Sequence, residues 1–271
     1  MNARARARGL AARLGPRDLA VLTSLQQLRL LSGAQVRRLH FPGSNLITQA
    51  RKSRAALQRL TALQTVVRLR RRVGGVRAGS EGHVYGLSGL GQAVLDLDRA
   101  ESRRHRRVPE TKLAYQSHVL AVSELAVNLT EQTSAGTCQL EEFHAEPGCW
   151  RWFSGLAGGR RVLKPDAYVR LGVDEFELTA FIEQDMDTES LPTIARKLDV
   201  YLDYWRTGAE QHEYGMFPRV WWLVPDTSRL RAIADTIAGL PAQARHLFTV
   251  ALTEQAATLL TQLPEPEGGA R

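Results

Sequence analysis

Apolar and polar positions alternate with two different periods along this chain, and the period changes mark its elements. Pro16 opens a helix, since Pro suits a first helical turn, and Leu19, Leu22, Leu25, Leu28 and Leu31 then recur along one helical side. Ser32-Gly33-Ala34-Gln35 has capping-box spacing and starts a short second helix through Val36 and Leu39. Pro42-Gly43 breaks it, and a third helix runs from about Leu46 to Leu63. Ala50, Ser53, Leu57 and Leu60 form its inward side; Arg51, Lys52, Gln58 and Arg59 fall opposite, with Arg54 on the flank. The period then drops to two. Val67 and Leu69 alternate with Arg68 and Arg70, followed by Arg71, Arg72, a glycine-rich tip carrying Arg77, and a return strand His83–Leu87. Ser88 caps a further helix to Leu97. Three helices and a basic hairpin predict a winged helix-turn-helix over 16–98.

The second half mixes both periods. Lys112 to Thr130 reads as a helix, Leu140 to Phe143 as a short strand, and Val162 to Leu171 and Phe176 to Ile182 as two strands joined at Gly172-Val173-Asp174. Ser190 to Trp205 is an amphipathic helix through Leu191, Ile194, Leu198, Tyr201 and Trp205. Val220 to Val224 is continuously apolar, as a strand covered on both faces requires. A helix at Leu230–Leu240 and a strand at Leu247–Ala251 follow. The expected fold is α+β or α/β: an N-terminal winged helix-turn-helix, then a mixed sheet flanked by helices. The expected boundaries are a basic disordered arm at 1–15, the helical domain at 16–98, a basic linker at 99–111, the sheet domain at 112–252, and a C-terminal helix and tail at 253–271.

Charge sharpens this division. The 271 residues carry a formal net charge of +8, but 1–112 hold 23 Lys and Arg against 6 Asp and Glu, whereas 113–271 hold 13 against 22. The front half is composed to neutralise phosphates. Arg51, Lys52, Arg54, Gln58 and Arg59 on the third helix are placed for a major groove. Arg68, Arg70, Arg71, Arg72 and Arg77 on the hairpin are placed for phosphates or a minor groove. Double-stranded DNA is the expected partner. No run of about 18 apolar residues offers a membrane span, and no secretory signal precedes the first helix. Cys138 and Cys149 match no zinc spacing, and a cytoplasmic setting is expected. Winged helices often dimerise on paired half-sites, so a homodimer is compatible, although no heptads announce one.

The rear half gathers carboxylates. Asp166 starts one strand after Lys164-Pro165, and Glu183 and Asp185 end the next; folding about Gly172–Asp174 brings Asp166 towards Phe181, Ile182 and Glu183. Such oxygen ligands suit Mg²⁺ or Mn²⁺, which would activate water against a phosphodiester. Lys197 borders the apolar stripe of its helix and is placed to reach the same end. Glu124 and His118, on the preceding helix, are further candidates for a ligand and a proton-transfer group, and Asp185 for a third ligand.

Lys164-Pro165-Asp166-Ala167, Phe181-Ile182-Glu183-Gln184-Asp185 with Thr188-Glu189, and Arg196-Lys197-Leu198-Asp199-Val200-Tyr201 together resemble the replication-relaxation family of actinobacterial plasmids and other mobile elements. The resemblance spans about Pro16 to Leu252. It implies a winged helix joined to a restriction-endonuclease-like domain similar to PD-(D/E)xK nucleases. It implies DNA binding in plasmid replication, relaxation or transfer, with other replication or transfer proteins as partners. On it, Pro165-Asp166 matches the "PD" element and Glu183 the first acid of the second. Asp185 stands where the pattern has lysine, and Lys197 then takes that role from the following helix. The resemblance thus implies a Mg²⁺- or Mn²⁺-dependent endonuclease or nickase using Asp166, Glu183 and Lys197, or a catalytically silent scaffold serving a DNA-binding accessory factor or repressor.

Overall fold

A computed structural model describes residues 3–43, 45–69, 82–97, 113–155 and 158–262. The chain is mixed α/β and divides into two compact units, Met1–Val127 and Asn128–Arg271. The predicted hairpin arginines Arg70, Arg71, Arg72 and Arg77, the linker 99–111 and the tail from 263 lie outside the described residues.

The first unit begins with α1 (Ala3–Ala11), where a disordered arm was expected. Alanine and arginine are good helix formers, and Ala7, Leu10 and Leu14 recur at helical spacing and are buried. α1 packs on α5 (Gly89–Leu95). α2 (Pro16–Leu28) stops earlier than the leucine stripe implied, because Arg29 takes a left-handed φ of 68°. Leu30 and Leu31 then belong to β1 (Leu30–Ser32), not to the helix. The capping box of α3 (Gly33–His40) forms as expected: Gln35 N–H donates to Ser32 Oγ at 3.2 Å, and Ser32 N–H to Gln35 Oε1 at 2.9 Å. α4 (Leu46–Ala62) is capped by Asn45 and buries Ser53, Leu57 and Leu60. β2 (Val66–Arg68) and β3 (Val84–Leu87) pair antiparallel, and β1 joins the other edge of β3, giving the order β1-β3-β2. Leu30, Leu69, Val84 and Val119 of α6 (Leu113–Ser134) share one apolar cluster. Gly91 is forced by a close approach: a Cβ there would lie 2.2 Å from the Thr65 carbonyl oxygen.

The second unit is built on a five-stranded sheet of order β10-β9-β8-β7-β4. These strands are β4 (Gln139–Ala145), β7 (Ala167–Val173), β8 (Phe176–Gln184), β9 (Arg219–Val224) and β10 (Phe248–Leu252). β4, β7 and β8 are antiparallel; β8, β9 and β10 run parallel. The expected single strand Val162–Leu171 is in fact two. Pro165 has no N–H for a ladder and restricts the residue before it. β6 (Arg160–Leu163) therefore ends before it and pairs with β5 (Arg151–Ser154) as a separate ribbon, while β7 enters the main sheet. α7 (Leu191–Arg206) buries Ile194, Leu198, Tyr201 and Leu202 in a core with Tyr168, Phe181, Val220 and Trp222. Each such side chain contributes about 1.5–3 kcal/mol on burial. α8 (Ala209–Tyr214), α9 (Thr227–Ala238), α10 (Ala242–Arg245) and α11 (Ala256–Leu260) complete the unit. Among the described residues no helix is long and apolar enough to cross a membrane. Both cysteines are buried free thiols.

Candidate functional site

Two regions carry the side chains singled out from sequence. The first is α4. Its inward residues Ser53, Leu57 and Leu60 are buried, and Arg51, Lys52, Arg54, Gln58 and Arg59 are exposed, so burial divides the helix as the periodicity requires. Arg59 pairs with the buried Asp18 carboxylate. Asp18 also accepts from the Gly15 N–H at 3.0 Å, which fixes the start of α2 and gives Arg59 an architectural task. Arg68 is exposed on β2, opposite Tyr85.

The second region lies at the end of β7 and β8. The turn at Asp174, with φ 50°, returns β8 so that Ala167 pairs with Ile182. The Asp166 N–H donates to the Ile182 carbonyl at 2.9 Å, and Asp166 Oδ2 accepts from the Gln184 N–H at 2.8 Å. Asp166 is thereby clamped beside Glu183 from both its backbone and its side chain. Glu183 is 2% exposed. Its Oε1 accepts from the Tyr201 hydroxyl at 2.7 Å and its Oε2 from Lys197 Nζ at 3.0 Å. Lys197 also pairs with Glu189 at 3.0 Å. The structure therefore brings Asp166, Glu183 and Lys197 together.

Burial pushes the Glu183 carboxyl up to about 7, with Asp166 adding to the rise and Lys197 and Tyr201 opposing it. Lys197 is held charged above its ordinary range: burial works against this, but Glu183, Asp166 and Glu189 outweigh it. The Tyr201 hydroxyl is raised by burial and by Glu183. Cys149 donates to the Pro165 carbonyl at 3.0 Å, and burial pushes its thiol far up, so it is no thiolate nucleophile.

Two expected ligands are committed elsewhere. Asp185 leaves the strand end and is bound by Arg229 of α9, at 2.7 and 3.2 Å, and by the Asp187 N–H. It was expected as a third ligand, but β8 ends at Gln184 and the chain turns through Asp187, whose φ is 56°. Glu124 is taken by Gln35, at 2.8 Å, and by Arg38 inside the first unit. His118, on the same α6, is half-buried within the first unit. Among the described residues no group of three or more His, Cys, Asp or Glu converges on a metal position. The donor set is thus Asp166 and Glu183. Two carboxylates fit Mg²⁺, which is held by one or two of them together with waters and substrate phosphates.

The sequence assigned no site role to Tyr201, Glu189 or Gln184, although all three stand in the motifs that carry the family resemblance. A signal for Tyr201 was present: it lies four residues after Lys197, on the same helical side.

The replication-relaxation family profile matches residues 22–220, well over half of the chain. The protein belongs to the replication-relaxation family. Comparison with curated proteins gives no match. Comparison with solved structures gives none either.

Proposed function

We infer that the protein is a DNA-binding factor acting in the replication, relaxation or transfer of a plasmid or related element. The first unit works as a winged helix-turn-helix that inserts α4 into the major groove of double-stranded DNA. The carrying observation is the division of α4: Ser53, Leu57 and Leu60 are buried, and Arg51, Lys52, Arg54 and Gln58 are exposed. Guanidinium and amide groups on such a face match the acceptors and donors of base edges. β2 and β3 supply the wing, with Arg68 directed to the backbone. Dimethyl sulfate footprinting of a selected duplex tests this, because guanine N7 lies in the major groove. N7 protection by the full chain, lost on Arg51→Ala/Lys52→Ala, is expected. Binding without N7 protection would put the contact elsewhere.

A second reading concerns the other unit, as a nuclease-like domain. What favours it is the convergence of Asp166, Glu183 and Lys197. Asp166 and Glu183 would hold Mg²⁺ or Mn²⁺, which supplies charge neutralisation at phosphate and an activated water. In this site Lys197 steadies negative charge and has Glu189 as an alternative partner. Tyr201 orients Glu183. Nicking of supercoiled plasmid with Mg²⁺ that disappears in Asp166→Ala and Glu183→Ala would support hydrolysis. Nicking unaffected by both substitutions is contamination, and its absence leaves a silent scaffold that serves the DNA-binding role.

A further inference from the structure

The β5–β6 ribbon carries chemistry that neither reading above uses. Its register pairs Arg151 with Leu163, Trp152 with Val162, Phe153 with Arg161, and Ser154 with Arg160. Side chains alternate across a strand. Phe153 and Leu163 face the core and are buried. The opposite face presents Trp152, 57% exposed, together with Arg160. The Arg160 guanidinium lies 4.4 Å from the Trp152 ring centre. Just past the end of β6, the exposed Lys164 has its Nζ 4.7 Å from the ring centre of Trp150, which is half-buried against the core. One exposed indole paired with a cation, Trp152 with Arg160, therefore stands on the outer face of the ribbon, with a second cation, Lys164, just past the end of β6.

The local charge is opposite to that of the unit. Between Glu146 and Asp166 the chain has four cations, Arg151, Arg160, Arg161 and Lys164, and no acidic residue, although 113–271 as a whole is acidic. Arg151 and Arg161 are occupied with Glu210 and Asp203. Arg160 and Lys164 remain as the cations of the outer face. Such a face suits a polyanion that also offers aromatic surfaces.

We propose that this ribbon face binds single-stranded DNA, with a base stacking on Trp152 and phosphates meeting Arg160 and Lys164. An indole takes the face of a base only where that base is unstacked from its neighbour, which a single strand offers and a duplex does not. Base–aromatic stacking is also tolerant of sequence, as a general strand-holding surface requires. Lys164 is two residues before Asp166, so a strand held here runs on towards the carboxylate site. The proposal stands on the ribbon alone and does not rest on the α4 reading.

The test uses the full chain and fluorescence anisotropy with a labelled oligo-dT of about twelve nucleotides, within the usual site sizes, and a duplex of equal length. Trp152→Ala is expected to weaken oligo-dT binding roughly tenfold, the scale of one base–aromatic stack. Duplex binding should stay unchanged, and Trp152→Phe should retain most of the oligo-dT affinity. An unchanged C-terminal unfolding midpoint shows that the variant is folded. Oligo-dT binding that is indifferent to Trp152→Ala, or that falls only in parallel with duplex binding, overturns the proposal. The Arg51→Ala/Lys52→Ala variant separates the two surfaces. It should bind duplex more weakly and keep the Trp152-dependent share of oligo-dT binding, so either surface can fail without the other.

Discussion

Glu183→Gln isolates the energetics of the buried carboxylate site. Glu183 is 2% exposed, and its carboxyl is raised from the ordinary 4.5 to about 7 because burial outweighs the help of Lys197 and Tyr201. Between these two values the folded state holds a proton that the unfolded chain has released. Stability therefore falls as pH rises from about 4.5 to 7, and the penalty is complete above the folded value. At 1.36 kcal/mol per pKa unit, the loss is about 3 kcal/mol. The amide of the Glu183→Gln variant cannot titrate, so the stability of the native chain minus that of the variant should decline by about this amount across the window; groups that do not interact with Glu183 cancel in the difference. All five tryptophans, Trp150, Trp152, Trp205, Trp221 and Trp222, lie in the second unit. Urea unfolding followed by tryptophan fluorescence, in chelator at about pH 4 to 8 to bracket the window, thus reports the relevant unit. A difference that stays flat across that range would refute the claim that the carboxylate is buried at a cost.

Tyr201→Phe keeps the packing against Trp222 and Phe248 but removes the 2.7 Å donor to Glu183. It should cost about 1.5–3 kcal/mol at about pH 8 and less at about pH 5, where Glu183 is neutral, as read by the same urea titration. Gly91→Ala places a methyl 2.2 Å from the Thr65 oxygen and should destabilise the first unit by about 1–3 kcal/mol, seen by circular dichroism with the tryptophan transition unmoved. Burial and Arg17 lower His40 from 6.5 to about 4. The unfolded chain binds that proton more readily, so the first unit should lose stability as pH falls from 6.5 to about 4; His40→Gln should flatten the acid limb of its thermal unfolding curve.

Much of the site was legible because it depends on short-range pattern. The turn at Gly172–Asp174 sets the β7–β8 register, and that register alone carries Asp166 to Ile182 and Glu183. The buried side of α4 and the capping box of α3 follow from spacing in the same way. What stayed hidden depends on partners distant in sequence. Arg229 removes Asp185 from the cluster from 44 residues away, and Gln35 and Arg38 engage Glu124 from more than 80 residues away. No local period announces such pairs. β1 was hidden for a related reason: Leu30 and Leu31 continue a leucine stripe, and only the left-handed Arg29 and the pairing edge of β3 turn them into a strand. α1 was hidden because arginines alternate through it and leave only the short apolar side of Ala7, Leu10 and Leu14, which are buried.

The salt dependence of duplex affinity tests the central claim most directly. Each phosphate neutralised contributes about 0.9 to the slope of log affinity against log salt. Two cations carried into the groove on α4 neutralise about two phosphates, so Arg51→Ala/Lys52→Ala should bind more weakly and with a slope shallower by about 2. An identical slope in the native chain and the double variant would contradict the assignment of α4 as the DNA-contacting helix.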